Sequence, residues 1–88
     1  MDLSRARQIV EAFTADERDV VEIEVGDLYD SFDIDRNDPE QLDHWADRHM
    51  GHHEASSVDE VMLRKIAAYL RVRASELRTL RATRPEAD

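Results

Sequence analysis

An all-α fold, a small bundle of four or five short helices, is what the sequence predicts. Three observations carry that reading. Only two glycines and two prolines interrupt the 88 residues, which favours helices with short connections. Apolar residues recur at helical spacing in each of four stretches. Residues able to cap a helix stand in front of several of those stretches.

The first stretch, "DLSRARQIVEAF", puts Leu3, Ala6, Ile9, Val10 and Phe13 on one face and predicts a helix over about 2–13. The next, "TADERDVVEIEVGDLYDSFDID", supports two readings. Val21, Ile23 and Val25 alternate with Glu22 and Glu24 as in a strand. Val21, Val25, Leu28, Tyr29 and Phe32 instead follow a helical period, and Thr14 with Glu17 makes a capping box. A lone strand leaves its backbone unpaired, so we take a helix over 15–25 and a further turn or helix over 27–33 after Gly26. The alternative is one short strand at 20–25 that pairs across a homodimer.

"NDPEQLDHWADRHMG" predicts a helix over 39–50. Asp38 caps it, Pro39 suits its first position, and Gly51 stands where a C-cap would go. Leu42, Trp45, Ala46, His49 and Met50 form its apolar face. The last stretch opens with Ser57 and Glu60 as a second capping box. Two layouts compete for it. One long helix would align Leu63, Ile66, Leu70, Arg73, Leu77 and Leu80 in a short heptad seam. Two helices, ending near Arg71 and running over 74–82, would be separated by Val72 and Arg73, which interrupt the stripe; this second layout is our expectation. The expected core is Ile9, Phe13, Val21, Val25, Leu28, Phe32, Leu42, Trp45, Met50, Val61, Ile66, Leu70 and Leu77. Residues 1–84 read as a single acidic helical domain and 85–88 as a frayed tail.

Charge is unevenly placed. Residues 16–60 carry 16 acidic and 3 basic side chains, whereas residues 61–88 carry 7 basic and 3 acidic. An acidic centre attracts basic partners and repels nucleic acid. The acidic series Asp27, Asp30, Asp33, Asp35, Asp38, Glu40, Asp43 and Asp47 is therefore the candidate surface for a protein partner with a basic face. The basic end, with Arg64, Arg71, Arg73, Arg78, Arg81 and Arg84, is the candidate for nucleic acid, as the second choice. Opposite charges at the two ends would also suit a homodimer.

All four histidines lie within "HWADRHMGHH". His44 falls opposite Leu42 and Trp45, so it cannot share a metal with His49. His49, His52 and His53 remain as a candidate zinc set, with Glu54 or Asp47 as a fourth ligand. The alternative is a core-flanking His49 beside solvated loop histidines. The chain has no cysteine, so it has no disulfide and no thiolate metal site. It has no phosphate-binding glycine loop and no nucleophile–histidine–acid order. A chain of this length has little room for a concave substrate pocket. No catalysis and no cofactor are expected. No apolar run is long enough to cross a membrane, and the N-terminal residues lack a signal-peptide core, so a cytoplasmic location is expected.

Two resemblances bear on these expectations. "LRKIAAYLRVRASEL", Leu63 to Leu77, resembles the closing helices of Xre-type helix-turn-helix regulators at Ile66, Ala67, Leu70, Val72 and Leu77. "TADERDVVEIEVG", Thr14 to Gly26, resembles the opening helix of LuxR-type and sigma-factor helix-turn-helix domains. Together they cover about a third of the chain and imply a helix-turn-helix-like arrangement. Between them stands "DIDRNDPEQLDHWAD", where those families carry a basic recognition helix. The resemblance therefore carries over helices and not DNA-reading residues. "GDLYDSFDID" resembles the serine attachment motif of acyl and peptidyl carrier proteins, with Ser31 as the serine. In that family the serine opens an apolar-faced helix, and here polar residues and Pro39 follow it.

Overall fold

The computed structural model describes residues 2–51 and 60–83, with the side chains of 49–51, 60 and 83 outside the description. The described residues form four helices: α1 (Leu3–Glu11), α2 (Ala15–Phe32), α3 (Pro39–Gly51) and α4 (Glu60–Thr83). The fold is all-α, as predicted.

Local chemistry sets the helix starts. Asp2 caps α1, its carboxylate accepting from the Arg5 amide at 2.9 Å. The Thr14–Glu17 capping box forms as expected: the Glu17 amide donates to Thr14 Oγ1 at 3.1 Å and the Thr14 amide to Glu17 Oε1 at 2.9 Å. Asp38 caps α3, its carboxylate accepting from the Glu40 amide at 3.0 Å and from Gln41 Nε2 at 3.2 Å. The proposed Ser57 cap lies outside the described residues.

Two expected breaks are absent. Residues 20–25 are helical and not a strand, and α2 runs through Gly26 without interruption to Phe32. A helical glycine costs about 1 kcal/mol against alanine, less than the burial of Val25 and Leu28 on either side of it returns. The two-helix layout of the last stretch also fails, because α4 is one helix of 24 residues. Its buried side chains, Leu63, Ile66, Ala67, Leu70, Ala74 and Leu77, recur at three- and four-residue spacing through the supposed break. Val72 and Arg73 interrupt the stripe without ending the helix, since each is only half-buried.

The α4 helix is the common support and packs against each of the other three. Arg7 of α1 reaches Ser75 at 3.3 Å, and Ile9 and Phe13 lie beside Val61 and Lys65, so α1 runs antiparallel to α4. The small side chains of Ala6 on α1 and Ala67, Ala68 and Ala74 on α4 are all buried and allow close backbone approach. A core of Val21, Val25, Leu28, Ile34, Leu42, Ala46, Ile66, Leu70 and Leu77 joins α2, α3 and α4.

Two expected core residues are exposed. Val61 is 57% exposed, because the α4 stripe through Leu63 and Ile66 turns it outward. Phe32 is 56% exposed; its ring lies 4.6 Å from that of the half-buried Trp45. Ile34 continues the core beyond Leu28 in place of Phe32. The chain achieves this by a left-handed turn at Asp33 (φ 53°), after which the Ile34 amide donates to the Tyr29 carbonyl at 3.0 Å. Ile9 and Phe13 are half-buried at the edge, and the Met50 side chain lies outside the description.

Candidate binding surface

The acidic series does not form one face. Asp35 and Asp38 shape the turn before α3, Asp35 accepting from the Asn37 amide at 2.9 Å. Asp33 provides the left-handed residue that ends α2, and Glu40 is exposed in the first turn of α3. Asp43 and Asp47 lie one turn apart on α3 and face α4. Asp43 Oδ2 accepts from Arg78 at 2.6 Å, and its Oδ1 lies 3.6 Å from Arg71. Arg71 also pairs with Asp47. The Asp43 carboxylate is only 23% exposed; the Arg78 hydrogen bond to Oδ2 and the nearby Arg71 charge at Oδ1, which has no hydrogen bond, offset its desolvation.

Most of the arginine-rich end has partners within the chain. Besides Arg71 and Arg78, Arg73 pairs with Glu76 at 3.2 Å, and Arg81 donates to the Asn37 carbonyl at 3.4 Å. Arg64 has an interaction of its own, and Arg84 lies outside the described residues. Lys65 donates to Glu17 at 2.8 Å, tying α4 to the start of α2. The Lys65 hydrogen bond, with the Thr14 amide, holds the Glu17 carboxyl below the usual range.

The outer face of α2 is different. With about 100° between successive residues, the side opposite Val21, Val25 and Leu28 carries Asp16, Asp19, Val20, Ile23, Asp27 and Asp30. Val20 is 43% and Ile23 64% exposed. Among the described residues Asp16, Asp19 and Asp27 have no counter-charge, and Asp30 has only a loose contact with Arg36 at 3.5 Å, open to water on both sides. Asp27 and Asp30 belong to the predicted series; Asp16, Asp19, Val20 and Ile23 do not. The signal for them was present, since these positions repeat at the same three- and four-residue spacing as the core face.

Of the candidate metal set, His52, His53 and the His49 side chain lie outside the description. Among the described residues no three His, Cys, Asp or Glu side chains gather to hold a metal ion. His44 is exposed and meets Trp45 edge-on at 5.9 Å. Ser31 is the penultimate residue of α2, at the end of a helix and not at its start. No described helix is long and apolar enough to cross a membrane.

The sequence matches no protein-family model, no characterised protein and no solved structure. The helix-turn-helix resemblance therefore rests on the residues quoted for it.

Proposed function

We propose that the chain is a small, non-catalytic regulatory or inhibitory module that binds a basic protein surface through the outer face of α2. Inhibitors, antitoxins and nucleic-acid mimics work by this kind of contact. The observation that carries the proposal is a row of acids, three of them without counter-charge among the described residues, that flanks two exposed β-branched side chains, Val20 and Ile23. Apolar contact supplies affinity and the acids supply steering and selectivity. A second copy docked on this face by two-fold symmetry would set like charges against like, so the occupant is a cationic surface with an apolar centre. Nucleic-acid binding through Arg64, Arg71, Arg73, Arg78 and Arg81 ranks second, because Arg71 and Arg78 already close onto α3 and Arg81 onto the Asn37 carbonyl.

Fluorescence anisotropy with a labelled helical peptide of leucines flanked by lysine and arginine tests the reading. Ile23→Ser should weaken binding about tenfold or more, the worth of one buried branched side chain. Asp16→Asn, Asp19→Asn and Asp27→Asn together should weaken it far more than an equal charge change at Asp2, Glu11 and Glu40. Equal loss from both triplets would mean that net charge alone attracts the peptide and would refute the assignment.

A further inference from the structure

On the other side of α2, between α1, α2 and α4, lies an open groove of about 370 Å³. Arg18, Arg36 and Arg73 border it, with Glu76 as the one acid among the described residues that does. Tyr29 and Tyr69 are half-buried in its wall, and Asn37 adds an amide.

The guanidinium groups are held loosely. Arg18 lies 3.6 Å from Glu22 and Arg36 3.5 Å from Asp30, with both partners exposed in each pair. Arg73 lies 3.2 Å from Glu76, its own neighbour on the helix. Exposed pairs of this kind contribute little, so exchanging a carboxylate for a ligand's anionic group costs little. The Arg36 guanidinium also sits 4.9 Å from the centre of the Tyr29 ring. Neither tyrosine hydroxyl has a hydrogen-bond partner among the described residues. Burial pushes both phenols above their usual value, with Tyr69 adding to the effect at Tyr29 and Glu22 at Tyr69. Both hydroxyls thus keep their protons at neutral pH and can donate. Arg73 is the arginine whose charge reaches both rings.

We propose that this groove binds a small ligand in which a planar aromatic ring carries an anionic group. Arg73, assisted by Arg36 and Arg18, holds the anion through the planar fork that fits phosphate and carboxylate alike. Tyr29 and Tyr69 meet the ring and donate to its polar edge. The size is that of a small-molecule site, and its three guanidinium groups become available to an anion once their exposed carboxylate partners are displaced. This site is independent of the outer α2 face and stands if that face proves inert.

The test is an NMR titration of the amide-labelled full chain at low salt with five probes: adenosine monophosphate, benzoate, adenosine, inorganic phosphate and a short duplex DNA. One or both of the first two should give saturable shifts at Tyr29, Asn37, Tyr69 and Arg73. A response to the nucleotide assigns a phosphate-bearing ligand, and a response to benzoate assigns a carboxylate. Arg73→Gln should weaken binding about tenfold or more, as expected for a hydrogen bond to a charged group. Arg36→Gln, in the exposed turn, gives the same reading should the first variant fold poorly. Three results would overturn the proposal: no saturable shift from either ring-bearing anion, binding indifferent to both arginine variants, or inorganic phosphate binding as well as the nucleotide. Shifts at these residues with duplex DNA alone would assign the groove to a nucleic-acid backbone instead.

Discussion

Asp43 on α3 lies between two guanidinium groups, and Asp27 on α2 faces none among the described residues. Both belong to the same acidic run, yet one is structural and the other is not. The difference follows from which neighbour each helix has. The outward side of α3 turns partly toward the arginine-rich half of α4, so its acids close onto that helix. The outer side of α2 points away from α4, so among the described residues its acids meet no counter-charge beyond the loose Asp30–Arg36 contact. A charge total over a stretch of sequence merges these two populations.

Substitutions can break or sharpen that contrast. The largest effect is expected at the α3–α4 seam. Asp43→Ala leaves Arg71 and Arg78 without their shared partner and should cost about 1–3 kcal/mol in urea unfolding, more than an exposed pair and less than a fully buried one. Next comes Gly26→Ala. Nothing lies within 4 Å of the added Cβ, so the helix should gain about 1 kcal/mol, read as a higher unfolding midpoint. Because Gly26 sits beside Ile23 and Asp30 on the outer face, the same variant should not improve peptide binding. The triple change Asp16→Asn, Asp19→Asn and Asp27→Asn should move stability by no more than about 0.5 kcal/mol while it removes peptide binding.

The smallest effect concerns pH. The Glu17 carboxyl is held below its usual range by Lys65, so the unfolded chain takes up this proton first as pH falls. The stabilisation is complete above the ordinary glutamate value, about 4.3, and disappears as pH falls through the lower folded value. Glu17→Gln should therefore flatten stability against pH only in that acidic window, as followed by circular dichroism.

Much of the fold was legible because it is written in local chemistry. Asp38 before Pro39, and Thr14 before Glu17, start their helices through contacts no more than three residues long. The positions that misled depend on distant packing. Gly26 looked like an end because glycine weakens a helix, and nothing nearby in sequence revealed the burial that offsets it. Ile34, set among aspartates beyond the expected end of α2, was not in the expected core, and the turn at Asp33 folds it inward. The seam was the hardest to see. Asp43 and Arg78 stand 35 positions apart, and each supported a different candidate function when read alone. Once α3 and α4 lie side by side, the two charges answer each other. The outer face of α2 was missed although a helix over 15–25 was expected: Ile23 was weighed only in the alternating pattern with Val21 and Val25 and was not placed on the helix.

The most direct test is a map of amide shifts on adding the cationic leucine peptide at low salt. The division of charge predicts shifts that concentrate on α2 from Asp16 to Asp30 and leave Asp43 and Asp47 nearly still. Shifts centred on α3, or spread evenly over every acidic residue, would contradict it.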